Sequence, residues 1–491
     1  MKNIFIKALP FAFAVMTLTG CEKEYLETSP ASQVPNEQVF ATTNGATVAL
    51  NGIYRSMWTS WDSNHDTFGQ KAVDVSMDML GADVITPVRG YGWYVNDYNH
   101  SAITTTTATS RSGWAWRYYY RIINNSNLII NNIDKATGDP ARKDYIKGNA
   151  LALRAHSYFY LINLFQHTYK GHENEPGVPL YTEPTTVGKG RGTVQEVYDQ
   201  IIADLKAAET LLEGKTKDHV SHINARTVKG IYARVALQME DYATAATKAN
   251  EARTGLAPMS ASTYQAGFGK YNTEWMWGLE IPNDQATIYA SFFSHMSNTA
   301  AGYAGLGSQK LMLKNLYDAM PATDVRKSLV QTPVADNKGT YYNYSSLKFR
   351  LPASGSWAAD YVLMRAAEMY LIEAEALAKT NREPEAVAVL EALVKVRNSA
   401  YVAPATSGSA LLEEIYLQRR LELWGEGFSL LDLKRLKRDI VRPTGLPREG
   451  LHNATLATVV ERDIEDPKML FRIPQDEIDT NDEIDPADQN P

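Results

Sequence analysis

The chain has 491 residues, a formal net charge of −7 and a single cysteine, Cys21. The acidic balance, with no basic stretch to track a phosphate backbone, argues against nucleic acid as a partner. One cysteine excludes an intrachain disulfide, and no apolar run beyond the first 21 residues is long enough to span a bilayer. Tyrosine (28) and tryptophan (9) are abundant. Flat rings with polar edges suit ligands with apolar faces and polar rims, such as sugars or peptides.

Residues 1–20 read as a signal peptide: Lys2 and Lys7 form a basic start, and an apolar core follows from Ala8 to Val15. Leu18-Thr19-Gly20-Cys21 is a lipobox-like ending, so Cys21 is the expected point of lipid attachment. Several acyl chains on one residue give stable anchoring where a single chain does not. Residues 21–45 are then a lipid-anchored tether, in which Pro30 and Pro35 discourage helix. Residues 46–491 are expected to form a single domain.

A helix is expected over 46–58. The segment 59–113 has no periodicity but carries Trp61, Asp62, Asn64, Asp66, Arg89, Tyr91, Trp93, Tyr94, Asn96, Asp97, Tyr98 and His100. Long irregular segments in compact proteins are functional or disordered, and this aromatic density argues against disorder. Helices are expected over 116–135 and 141–169. Trp114 and Trp116 lead straight into the first and read as core. Thr193 followed by Glu196 forms a capping box for a helix to Leu212. Residues 225–252 form a helix pair whose turn is marked by Asp241-Tyr242. The run 274–281 alternates and reads as a short strand with Trp275 and Trp277 on one face. A second aromatic segment, 285–307, carries Tyr289, Phe292, Phe293, His295, Asn298 and Tyr303 among small residues.

From Asp360 onward apolar or small residues recur three and four apart: Leu363, Ala366, Ala367, Tyr370, Leu371, Ala374, Leu377. Pro384 suits the first turn of a partner helix with Ala386, Val389, Leu390, Leu393 and Val394. Small residues inside a short-turn helix pair are the unit of a tetratricopeptide (TPR) array, and one pair cannot bury its face alone. The plainer alternative is an ordinary helical domain with alanine-rich contacts.

The run Met364-Arg365-Ala366-Ala367-Glu368-Met369-Tyr370-Leu371, continuing to Ala376, resembles the R-x-A-E-x-Y-L-x-x-A-E-A motif of the SusD/RagB family of nutrient-binding lipoproteins. The run 418–435, QRRLELWGEGFSLLDLKR, is similar to that family's E-R-x-x-E-L-x-x-E-G-x-R-x-x-D-L-x-R. It departs from the motif at Gln418 and Ser429. Further matches are the LRAHSYFYLINLFQ run with GVPL at 177–180, the D-x-R of Asp324 and Arg326, and the closing I-P-x-x-E-I tail.

The resemblance implies a mainly α, SusD-like fold. About four TPR-type helix pairs would form a right-handed scaffold, mainly within 114–254 and 359–440. A loop-rich half with a few short strands, mainly 59–113 and 255–358, would bind ligand. It implies a non-catalytic protein outside the outer membrane that captures oligosaccharide, or oligopeptide, for a SusC-like TonB-dependent transporter. The helical half would pack against that transporter. On this reading the ligand contacts are Trp61, Arg89, Trp93, Tyr94, Asn96, Tyr98, Tyr289 and Tyr303.

No catalytic residue, cofactor or metal site is expected. No pair of carboxylates is singled out by spacing as a glycosidase requires. Glu368, Glu373, Glu375, Glu422 and Glu426 lie on expected helices and read as structural ion pairs. His219 and His222 lack a third ligand nearby. The acid-rich tail with Asp479, Asn481, Glu483 and Asp485 lacks the glycine of an EF-hand loop and reads as solvated. The rival readings are a TPR scaffold that binds only protein and an enzyme of polysaccharide breakdown. The anchor gives the first prediction: Cys21→Ala should release the protein from membranes in soluble form. A variant that stays membrane-bound and carries lipid by mass spectrometry would refute it.

Overall fold

A computed structural model describes residues 36–337, 339–353 and 355–491, so the signal peptide, Cys21 and most of the tether lie outside the described residues. The fold is mainly helical, with a few short strands. Helix α1 is Thr43–Ser56, capped by Thr42, whose hydroxyl accepts from the Gly45 N–H. Helix α2 is Gln70–Leu80. Helix α3 is Arg111–Asn132, capped by Ser110, and α4 is Pro140–Phe165, capped by Asp139 with proline in its first position. Helix α5, Val194–Leu212, carries the expected capping box between Thr193 and Glu196.

Helices α6, Ala225–Gln238, and α7, Tyr242–Arg253, turn at Asp241, which caps α7. Strand β1, Trp275–Leu279, pairs antiparallel with β2, Tyr361–Arg365. Then follow α8, Ala366–Lys379, α9, Glu383–Arg397, α10, Gly408–Glu422, and α11, Ser429–Arg435. From α3 to α8 each helix packs on the next, and α8 takes both α9 and α10 on its flanks. Ala367, Ala374 and Ala386 are fully buried, as close helix contacts require. One hydrophobic cluster, from Phe40 to Ile484, underlies both the helix array and the loop-rich part.

Three elements differ from the sequence reading. The helical pattern read from Leu363 begins only at Ala366, because the five residues before it form β2. All five are buried, so no polar alternation separates strand from helix. Helix α2 lies inside the segment read as irregular. It carries an apolar stripe, Ala72, Val73, Val75, Met77, Met79 and Leu80, but every one of its residues is buried, so its polar face, with Lys71, Asp74 and Asp78, meets protein and not water. The acidic tail keeps its carboxylates in solvent, Asp479, Glu483 and Asp485 among them, but its backbone is docked. Asn490 donates to the carbonyls of Phe165 and Phe471 at 2.8 Å each, and Ile484 is buried.

The carboxylates singled out in the sequence are all ion-paired: Glu368 with Arg234, Glu373 with Arg253, and Glu375 with Arg435. Glu422 and Glu426 belong to a larger buried cluster. Arg365 reaches Glu422 at 2.7 Å, Glu426 at 2.7 Å and Glu274 at 3.3 Å. Arg397 reaches Glu422 at 2.9 Å, and Lys348 reaches Glu426 at 2.6 Å. Arg326 pairs with Asp324 and donates to Gln418 Oε1 at 2.7 Å, so an uncharged amide completes a site already rich in carboxylates.

Burial pushes the Glu426 carboxyl up, but Arg365 and then Lys348 outweigh it and hold it down at about 2. A carboxylate held below its ordinary value of 4.5 stabilises the fold above that value. This stabilisation is lost as pH falls toward 2. Glu426→Gln leaves Arg365 and Lys348 short of charge and should destabilise by about 3 kcal/mol at pH 7. The variant should also lose part of the wild-type fall in stability between pH 4.5 and pH 2. Urea midpoints across that range test both; equal wild-type and variant midpoints at pH 7 would refute the role.

Candidate functional site

The two aromatic segments meet. Residues 61–67 close into a bracket: the Trp61 N–H donates to Thr67 O at 3.1 Å, and Thr67 Oγ1 donates to Trp61 O at 2.6 Å. Within it Asp62 and Ser63 have φ of 53° and 56°, left-handed positions uncommon for residues with a Cβ. Arg111, in the first turn of α3, ties this bracket to residues 94–97. Its Nη2 meets Asp66 at 2.8 Å and its Nε meets Asp97 at 3.0 Å, while the guanidinium lies 4.9 Å from the Tyr94 ring centroid. Burial pushes the Asp66 carboxyl above its ordinary value, with Arg111 opposing.

From the other segment, the short helix Phe292–Met296 brings His295, whose Nε2 lies 2.8 Å from His65 O. Burial pushes the His295 imidazole down to about 3, so the ring is neutral and serves as a stacking plate.

Tyr303 is the hub. Its ring centroid lies 5.2 Å from His295, 5.3 Å from Tyr91, 5.4 Å from Tyr289, and 5.7 Å from both Trp93 and His65. His65 Nδ1 and the Tyr303 hydroxyl share a hydrogen bond, and the His65 ring stacks on Tyr289 at 5.6 Å. Gly90 (φ +51°) carries the first segment against Ser308, where a Cβ would collide with the serine hydroxyl. Tyr91 is 72% exposed and Tyr289 42%.

Beside these rings lies a cleft of about 460 Å³ whose lining includes Asn64, Asp66, Arg89, Trp93 and Asn96. A neighbouring hollow of about 260 Å³ shares Asp66, Asn96 and Asp97 with it and runs on to Thr105 and Thr107. The arrangement offers aromatic faces for stacking, flanked by amide, guanidinium and hydroxyl groups for a polar rim.

The sequence-derived candidates fall into three groups. Trp93, Tyr289 and Tyr303 come together at the hub, and exposed Arg89 and Asn96 stand at the cleft. Tyr94 lines the same cleft but is 2% exposed, held beneath Arg111. Tyr98 is fully buried and hydrogen-bonds His452 Nδ1 at 2.6 Å, so it is a pillar under the loop and not a surface contact.

Trp61 stands apart. Arg121 lies 4.4 Å from its ring centroid, its edge meets Tyr118, and it lines a different cavity. His65 was missed in the sequence; its one available signal was a histidine between Asn64 and Asp66 in the aromatic segment. Among the described residues no group of three or more His, Cys, Asp or Glu could hold a metal ion. His222 instead bonds Tyr145 and Asn51, each at 2.9 Å.

Residues 24–237 match the family model described as starch-binding, associating with outer membrane, and residues 289–491 match the model of the SusD family. SusD-like protein P2 of Formosa agariphila is 24% identical over 484 residues, covering 89% of this chain and 92% of that protein. SusD-like protein P25 of the same organism is 24% identical over 301 residues; that match spans 58% of this chain and about half, 52%, of the relative. A crystal structure of a SusD-like carbohydrate binding protein from Bacteroides vulgatus superposes with a TM-score of 0.78 at 28% identity, covering 92% of this chain and 98% of that one. The two family matches, the end-to-end relative and the shared fold agree with the motifs at 364–376 and 418–435: the chain belongs to the SusD/RagB family.

Proposed function

We propose that the protein is a non-catalytic, surface-exposed lipoprotein that captures oligosaccharide and delivers it to a SusC-like TonB-dependent transporter in the outer membrane. Lipid on Cys21 is its anchor, and residues 46–491 act as one unit whose helical side faces the transporter. The carrying observation is the pair of exposed rings, Tyr91 and Tyr289, braced on Tyr303 at the edge of a polar cleft. A saccharide presents C–H faces to rings and hydroxyls to a polar rim, and this cleft has both kinds of surface on one side. Asp66 and Asp97 are both engaged by Arg111, which suits a binding role better than acid–base work. The description of the related Bacteroides vulgatus protein as carbohydrate binding points the same way. Among the described residues no helix is long and apolar enough to cross a membrane, in keeping with attachment through lipid.

Calorimetry of the soluble chain against neutral oligosaccharides and oligopeptides tests the reading. Trp93→Ala and Tyr289→Ala, each first shown to be folded by circular dichroism, should weaken oligosaccharide binding by about 1 kcal/mol or more. Saturable binding of peptides with no saccharide bound would replace the ligand class. Release of reducing ends on incubation with a polysaccharide would overturn the non-catalytic role. Wild-type affinity in both variants would move the site away from the Tyr303 hub.

A further inference from the structure

A second cavity, of about 630 Å³, lies between the C-terminal end of α1 and the middle of α3, and its lining includes Arg55, Ser56, Thr59, Trp61, Arg121 and Asn125. It uses the same bracket as the Tyr303 cleft but a different part of it. Ser60, Trp61 and Asp62 line this cavity, whereas Asn64 and Asp66 line the other. Its charge pattern is unusual for an acidic chain. Asp62, the carboxylate in the lining, is already paired with Arg117 at 2.7 Å. Among the described residues neither Arg55 nor Arg121 makes an ion pair or a side-chain hydrogen bond to the protein; Arg121 only overlies the Trp61 ring. Among the described residues two guanidinium groups are therefore left with free donors beside an indole, three hydroxyls and an amide. The bracket that presents Trp61 is strained at Asp62 and Ser63 and pinned by the Trp61–Thr67 bonds, which holds the ring in place without a ligand.

We infer that this cavity is a second saccharide subsite, selective for a sugar unit bearing an oxyanion, either a uronate carboxylate or a sulfate ester. The guanidinium forks of Arg55 and Arg121 match an oxyanion. Trp61 supplies apolar area beside them, and the hydroxyls and Asn125 meet the sugar's own hydroxyls. The inference rests on the saccharide reading of the Tyr303 cleft and adds a preference for charge that the cleft itself does not require.

The test is calorimetry of the soluble chain from residue 22 with three probes: a hexameric oligogalacturonide, the same hexamer fully methyl-esterified, and a sulfated galactan hexamer. Wild type, the double variant Arg55→Gln/Arg121→Gln, and Tyr289→Ala are compared at low and moderate salt. Both arginines are solvent-facing, so the double variant should fold. It should lose at least tenfold in affinity for a charged hexamer, with a flatter salt dependence, and bind the esterified hexamer as wild type does. Loss toward the galacturonide or toward the sulfated galactan tells which oxyanion the subsite takes. Unchanged affinity for both charged hexamers, or equal loss toward charged and esterified ones, overturns the subsite. In those cases a neutral oligosaccharide that binds wild type and is lost in Tyr289→Ala leaves the main reading standing. If wild type binds no saccharide, neutral or charged, both readings fall together.

Discussion

Arg365 is a guanidinium with almost no access to water, and the architecture around it is arranged to make that tolerable. Removing such a charge from water costs several kcal/mol unless partners are close and well placed. Glu422 and Glu426 supply them from α10 and the turn after it, and Glu274 supplies a third from the edge of β1. Glu274 also accepts the Ala367 N–H at 2.9 Å, so the same carboxylate satisfies an otherwise orphaned donor at the start of α8. Lys348 enters from the loop-rich part and donates to the Glu422 and Trp424 carbonyls as well as to Glu426. The cluster thus fastens the β1–β2 pair, the α8–α10 helices and the loop-rich part to one another. An apolar core would bind them as strongly; charged partners with fixed geometry also set which face meets which.

From this cluster a chain of hydrogen bonds runs to the cleft beside Tyr303. Just beyond Glu426, the Gly427 and Ser429 N–H groups donate to Asp78 on α2, at 2.9 and 3.2 Å. Burial pushes the Asp78 carboxyl up to about 7, against these two bonds. Ser76, half a turn earlier, donates to Asp97, which Arg111 in turn connects to Asp66 in the bracket. Gly81, just beyond α2, lies so close to Ser429 that a Cβ there would collide with the serine hydroxyl. A longer side chain at 429 would need another path, which gives the departure from the family's arginine a local setting. Helix α2 is therefore the strut between the ion cluster and the cleft, and its polar residues face partners on every side.

That strut is also where the sequence was least legible. Amphipathic periodicity reports a boundary between core and water, and the helices that have one, such as α5 with its capping box and the α6–α7 pair, could be read directly. Helix α2 carries an apolar stripe as well, but it is one short helix inside a segment read as irregular, and β2 is buried on both faces and shows no alternation. The tail misled for the opposite reason: its carboxylates suggest water, while the docking is done by Asn490, Gln489 and the buried Ile484. At the candidate site, aromatic density picked out two segments that meet in the fold, but composition does not say which rings are pillars. Tyr98 and Tyr289 look alike as letters, yet one sits in the core against His452 and the other stands in solvent. His65 joins the hub through a tertiary contact to Tyr303, which no local pattern encodes.

The two cavities on either side of the 61–67 bracket make sense of its strain. For the proposed saccharide ligand, which is heavily hydrated, each stacked ring or hydrogen bond yields only a small net gain, so ordering loops on binding would consume much of the affinity. Here the ordering is done in the free protein. Arg111 fixes the bracket from α3, Tyr303 and His295 fix it from the second segment, and the backbone hydrogen bonds of Trp61 and Thr67 close it. The left-handed Asp62 and Ser63 are the local cost of a turn tight enough to place Trp61 on one flank and Asn64 and Asp66 on the other. A loop pinned this way cannot adapt to many shapes. On the proposed saccharide reading, a bracket pinned this way presents both flanks to a ligand without a further ordering cost.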